Sequence, residues 1–356
     1  MKNKGAIYMN KIIIKIGFFC LILLVFPVML FAQANQAKQY EVVIKNSKGE
    51  EVFSFPEDTP DQDIKKIPQK ITAKRLNDVP EFIRLLAEYI NENSSNDFER
   101  LKKAHDWVAL NIKYDVDSYF SGKYASQDFN AVIKRGYAVC AGYADVFKYV
   151  CDALEIECEI VSGYARGYSS GLFKNANVMN TNHAWNIVTI EGEKYLIDST
   201  WDAGYVNGRK YAAKYRTDYF LTDPSIFIYD HFSYSASTQL LDPPLSAEEF
   251  DDLPFYEPGF FKAFATWPEL KRINDVIEGE EGILEFTLKE GYELCYSWYT
   301  AGGTQNGSTS YPARMNVYKI KVPKLKSGKY FLRLSIKKPE ERLYWGCGDI
   351  GFSVKK

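Results

Sequence analysis

Histidine is scarce in this chain. Three occur in 356 residues, His105, His183 and His231, so a reaction that needs an imidazole base must take it from one of three places. Long runs of one charge are also missing: 44 lysines and arginines nearly balance 46 aspartates and glutamates. The clustered basic face that a phosphate backbone requires is absent, which excludes nucleic acid as the expected partner. No twelve-residue acidic loop has the ligand spacing of a calcium-binding hand. Cys151 and Cys158 have no second Cys/His pair nearby to complete a zinc set, which makes a zinc module the weakest reading. Nothing in the pattern calls for a metal or another cofactor.

Apolar runs long enough to approach a membrane span are confined to one, Ile16 to Ala32. Lys2, Lys4, Lys11 and Lys15 precede it, and the small-x-small signal Ala32-Gln33-Ala34 follows. This order predicts a secretory signal over residues 1–34, cleaved near Ala34, with membrane contact only transient and through that segment. The mature protein is then expected to be secreted or in the periplasm or cell envelope. An uncleaved anchor is the competing reading, since the run is close to the shortest spanning length; Pro27 and the small residues favour cleavage. Five cysteines remain after removal: Cys140, Cys151, Cys158, Cys295 and Cys347. An odd number in an exported chain predicts two bridges and one free thiol, or fewer bridges, with Cys295 and Cys347 as plausible partners.

Beyond the signal, the balance of 46% hydrophobic and 25% charged residues is that of a folded protein. Residues 35–75 read as a leader with one strand around Tyr40 to Ile44. Two amphipathic helices follow, Val79 to Asn91 with Pro80 in its first turn and Phe98 to Ile112, each opened by an Asn-Asp pair. A third runs from Tyr137 to Ala153. Strands are expected over Glu157–Val161, Ala184–Ile190 and Tyr195–Ile197. Helices followed by antiparallel strands make residues 76–241 an α+β domain. Asp242-Pro243-Pro244 marks a linker. Regularly spaced strand signals then predict a small all-β sandwich over 242–356, including Ile283–Leu288, Tyr292–Tyr299, Val317–Val322, Tyr330–Ile336 and Gly351–Val354.

The stretch RGYAVCAGYADVFKYVC, residues 135–151, puts Cys140 at the head of the third helix. The positive end of a helix macrodipole favours a thiolate, and the Cys140 backbone N–H is a ready oxyanion donor. Free cysteine is nevertheless often just a small buried hydrophobe. Cys151 is eleven residues further on, about three helical turns, too distant to bridge to Cys140. A nucleophilic thiol needs a base, and the base needs an orienting carboxylate. His105 shares a helix face with Leu101, Val108 and Ile112 and reads as a core residue. His231, after Asp230, is the second candidate. His183 opens the strand NHAWNIVTI and Asp198 closes KYLIDSTW. A two-residue turn at Gly192 and Glu193 puts His183 and Asp198 on one face, and a three-residue turn puts them on opposite faces.

The segments RGYAVCAGYADVF, NHAWNIV and YLIDSTWDAG, in that order, resemble the three catalytic segments of the transglutaminase-like superfamily. HDWVALNIKYDV, residues 105–116, is similar to the stretch that precedes the nucleophile there. YFLTDPSIFIYDHF, residues 219–232, resembles the branch that includes the kyphoscoliosis peptidase and the cytokinesis-associated proteins. The resemblance implies a papain-like α+β core with the cysteine helix packed on an antiparallel sheet. It assigns Cys140 as nucleophile, His183 as base and acid and Asp198 as orienter. Gln127 is an oxyanion candidate; Trp185 and Trp201 are candidates for the substrate cleft. The implied activity is acyl transfer on a protein or peptide substrate. Water as acceptor makes a peptidase or amidase, an amine makes a crosslinking transglutaminase, and loss of turnover leaves a binding or scaffold protein.

Overall fold

The computed structural model describes residues 40–167, 170–173 and 180–356. The expected signal over 1–34 lies outside them. Among the described residues no helix is long and apolar enough to cross a membrane.

Helix Val79–Glu92 begins where the Asp78 side chain accepts from Glu81 N, and Asp97–Asn111 where Asn96 accepts from Glu99 N. Each cap satisfies a donor that the first turn leaves unpaired. Phe82, Ile83, Leu86 and Ile90 face the core from the first helix, Leu101, Ala104 and Val108 from the second. Helix Phe129–Arg135 stops at Gly136, whose φ of 78° is the left-handed conformation that closes a helix end. The chain next extends. Tyr137–Ala138 pairs in parallel with Lys113–Tyr114, and the long helix is Cys140–Ala153. The expected start at Tyr137 is therefore three residues early, because the Gly136 stop and the short ladder hold Tyr137 to Val139 extended. Cys140 becomes the first helical residue.

That helix packs on an antiparallel five-stranded sheet ordered Phe220–Thr222, Glu193–Ile197, His183–Ile190, Glu157–Ala165, His231–Phe232. Asn186, buried on the central strand, donates to Ala144 O at 3.1 Å and ties strand to helix. Gly163 sits opposite His183 in the ladder. A Cβ there would lie 2.4 Å from Phe232 O and 2.4 Å from the Trp185 ring. Gly163→Ala is expected to lower stability by about 1–3 kcal/mol, the usual cost of overpacking, read from the midpoint of urea unfolding.

Residues 41–56 form a hairpin, Glu41–Lys45 against Glu51–Pro56, where the sequence suggested one strand. Asn46 Oδ1 accepts from Lys48 N and Glu50 N and holds the turn. The second strand carries Phe53 and Phe55 to the core, 5.6 Å from Phe98 and 5.4 Å from Phe220 between ring centroids. The hairpin is part of the helix-and-sheet core rather than a leader outside it.

Toward the C-terminus two sheets face one another. One contains Phe255–Tyr256, Trp345–Lys355, Gly328–Lys337 and Glu293–Thr300, with Ile273–Ile277 parallel to its longest strand; the other contains Phe264–Thr266, Gly282–Leu288 and Val317–Val322. Phe286, Tyr318 and Ile320 from one sheet meet Leu332, Leu334 and Ile350 from the other in a shared core. Arg166 bolts the linker to the helix-and-sheet core, donating to Tyr229 O at 3.0 Å and Leu253 O at 2.9 Å.

All five described cysteines are free. The plausible pair Cys295 and Cys347 is not formed, because strand Gly328–Lys337 runs between the strands that carry them. Two interstrand steps are roughly 9–10 Å, beyond disulfide reach. Dithiothreitol is accordingly expected to leave the melting temperature unchanged in a thermal scan; a fall of several degrees would reveal a bridge.

Candidate active site

The sheet register decides what faces Cys140. Ile190 pairs with Glu193, so the two-residue turn is Glu191 and Gly192, one position before the expected Gly192 and Glu193, because these are the two residues at positive φ, as a tight hairpin of type I′ requires. A two-residue turn preserves side-chain parity, and His183 and Asp198 project from the same face. His183 Nε2 is 2.7 Å from Asp198 Oδ2. The imidazole also lies close enough to the Cys140 sulfur for each group to shift the other's titration. With Nε2 on the carboxylate, Nδ1 is the nitrogen left for the thiol.

Cys140 is half-buried. Burial pushes its thiol up, but the charge and hydrogen bond of His183 and the backbone N–H of Ala184 outweigh this, and the net displacement is below the ordinary thiol value. Burial likewise opposes the charged form of His183; Asp198 and Cys140 overcome it and hold the ring cationic up to about 10. Both shifts run in the direction of the thiolate–imidazolium pair, the reactive form of a cysteine nucleophile.

Asp198 is fully buried and has four donors aimed at it. Oδ2 receives His183 and also His231 Nε2 at 3.2 Å; Oδ1 caps helix Ser199–Ala203, accepting from Thr200 N at 2.8 Å and Trp201 N at 3.3 Å. Burial would raise this carboxyl, yet the two imidazoles hold it well below the usual carboxylate range. Its helix-capping role and its contact with His183 come from different oxygens of one group.

The other expected site residues fall in different places. Trp201 is partly exposed, its ring 5.3 Å from that of His183. Trp185 is 1% exposed and packs with Val161, Ile187, Leu196 and Phe227, so it is a core support beneath the histidine and not a wall of the cleft. Gln127 Oε1 accepts from Val139 N at 3.1 Å, and its Nε2 donates to Ala125 O at 2.8 Å. The amide oxygen and one of its two N–H groups hold backbone, and Gln127 braces the turn before the nucleophile. His105 is fully buried, as its helix face suggested, between Asp106 and Asp202, each at 3.1 Å.

Two features were not singled out in the sequence. Tyr114 lies close enough to Cys140 to feel its charge; burial and then that charge keep its phenol protonated. Tyr119 and Phe120 extend from it as an aromatic wall, with centroid separations of 6.0 and 5.2 Å. Asp230 is 2.6 Å from His231 Nδ1 and accepts from Tyr219 OH at 2.6 Å. The acid next to His231 in YDHF was the available signal. Among the described residues, the group whose ligand atoms converge as for a metal is His183, Asp198 and His231, within 4.8 Å. Both ring nitrogens are directed at the same Asp198 oxygen, which is hydrogen-bond geometry.

A cysteine at a helix N-terminus, a histidine across from it on an antiparallel strand and an aspartate on the next strand define a papain-like thiol site. Residues 84–198 match the transglutaminase-like superfamily model. Over 254 residues the chain is 28% identical to the kyphoscoliosis peptidase of Mus musculus, covering 67% of this chain and 37% of that protein. Over 135 residues it is 31% identical to hillarin of Drosophila melanogaster, covering 34% of this chain and 16% of that one. It also aligns with the red sea bream transglutaminase structure at 8% identity and a TM-score of 0.26, covering 90% of this chain and 62% of that chain. The chain thus spans little more than a third of the curated relative it matches over most of its own length.

Proposed function

We propose that the protein is an exported thiol-dependent acyl-transfer enzyme acting on protein or peptide substrates, with water as the principal acceptor. The observation that carries this reading is the Cys140–His183–Asp198 arrangement, with its thiol shifted down and its imidazole up. The Cys140 thiolate attacks an amide carbonyl carbon, and the new oxyanion lies near the start of helix Cys140–Ala153, where backbone N–H groups favour negative charge. His183 Nδ1–H protonates the departing amine, the C–N bond breaks and a thioester remains. Neutral His183 next takes a proton from water, hydroxide attacks the thioester and the acid product leaves with Cys140 restored. Asp198 stabilises the imidazolium at both proton transfers. The signal pattern at residues 1–34 is the support for export.

The kyphoscoliosis peptidase, similar over two thirds of this chain, is named for hydrolysis, and hydrolysis is the outcome taken here. An amine acceptor would yield crosslinking by the same first half-reaction. Incubating the protein with casein and a fluorescent primary amine separates the two: new N-termini without label are expected, and labelled casein without new N-termini would replace hydrolysis by transfer. A non-catalytic scaffold, the reading of another class, predicts neither product. The occupied triad disfavours it.

A further inference from the structure

We propose that His231 is a positioning residue of the thiol site: as a cation held between Asp198 and Asp230, it fixes the orienting carboxylate and offsets its charge near the thiolate. This rests on the acyl-transfer reading above. Both ring nitrogens of His231 face carboxylate oxygens, Nε2 at 3.2 Å from Asp198 and Nδ1 at 2.6 Å from Asp230. An unprotonated nitrogen at either position would set its lone pair against a carboxylate oxygen, so the contacts call for an N–H on each side, which is the cationic ring. The side chain has no exposure, so water cannot replace either contact.

Around it run charges of alternating sign. Cys140 thiolate meets His183 imidazolium, which meets Asp198, then His231, then Asp230. The backbone N–H of Arg166 donates to Asp230 O at 2.8 Å, and the Arg166 guanidinium feels the Asp230 charge. Tyr219 donates its hydroxyl to Asp230, and the charge of Glu257 also acts on Asp230. Without His231, three of the central groups of the active form are anions, Cys140, Asp198 and Asp230, against the single cation His183. Buried charge left unbalanced in this way is costly. The rings of Trp185, Trp201 and Phe227 enclose His231, with centroids 5.2, 4.4 and 4.1 Å away. These apolar walls keep solvent from screening the pair.

A ring that merely packed would need no acid at either nitrogen. The positioning role predicts that His231→Gln, which retains a donor toward Asp198 without the charge, moves the Cys140 thiolate titration upward by about one pH unit. His231→Phe, which keeps only the ring, is expected to move it at least as far and to lower iodoacetamide alkylation at pH 7 by roughly tenfold or more. With only three histidines, a ¹⁵N-histidine spectrum of the wild-type protein reads each ring directly and needs no variant to fold. Two protonated nitrogens on His231 at pH 7 are expected. An unprotonated nitrogen there, or folded variants whose alkylation titrates as in the wild type, would overturn the role. A wild-type thiol that titrates near 8.5 would instead overturn the acyl-transfer reading on which it rests.

Discussion

Replacing Cys140 with alanine is expected to lower acyl transfer by roughly 10⁴-fold or more, since in sites of this kind the nucleophile and its base act as a unit. Folding is expected to be nearly untouched, because Cys140 is half-buried at the first turn of its helix and alanine is a good helix former. The assay is release of new N-termini from casein beside a urea unfolding curve. Retained activity would move the chemistry away from this thiol. The variant also separates two pH effects. Cys140 is one of the groups that hold His183 charged, the other being Asp198. The His183 contribution to stability is full below the unfolded histidine value of about 6.5 and is lost as pH rises through about 10. In Cys140→Ala that loss is expected to begin at lower pH.

The second large effect is at Asp198. Asp198→Asn offers one oxygen and one N–H₂ to a place where four donors converge. If the amide oxygen keeps the helix cap, its nitrogen faces two imidazole nitrogens; if it turns, the cap is lost. Neutral His183 then lacks the partner that fixes its tautomer, and the expected fall in kcat/KM is about 10³–10⁴-fold. Leaving buried donors unpaired is expected to cost about 2–4 kcal/mol in addition. Asp198 is held well below the usual carboxylate range, so its stabilisation is present above the unfolded value of about 4 and disappears as pH falls. Stability of the wild type is therefore expected to drop more steeply than that of Asp198→Asn as pH falls below about 4, as urea midpoints across pH would show. A variant that loses stability but keeps its turnover would make Asp198 a helix cap alone.

Local pattern alone left Cys140 open between a buried thiol and a nucleophile; its grouping with His183 and Asp198 came from the resemblance of their three segments, in order, to the transglutaminase-like superfamily. Cys140 follows a glycine stop and heads a helical repeat, while His183 and Asp198 bracket a hairpin. The sequence left the register of that hairpin open because parity turns on a single residue of turn length. Glu191 and Gly192 at positive φ resolve it. The helix start was placed early because Tyr137, Ala138 and Val139 continue the apolar pattern of the helix that follows, while their actual partner, Lys113–Tyr114, is a distant two-residue strand. His231 lies on a strand equally short, His231–Phe232. Two residues leave no periodicity, so its arrival beside Asp198 depends on tertiary packing alone. Cys295 and Cys347 show the converse: closeness in one domain says nothing of an intervening strand.

His183 activates Cys140 in this site, and alkylation reads that activation thiol by thiol. Iodoacetamide labelling from pH 5 to 9, followed by peptide mass spectrometry in the wild type and in His183→Ala, reads each thiol separately. The buried Cys151, Cys158, Cys295 and Cys347 serve as controls within the same molecule. Fast labelling of Cys140 alone, already near its maximum well below pH 8.5 and lost in His183→Ala, is the predicted result. Labelling of Cys140 that rises around pH 8.5 and is the same in both proteins would contradict the account.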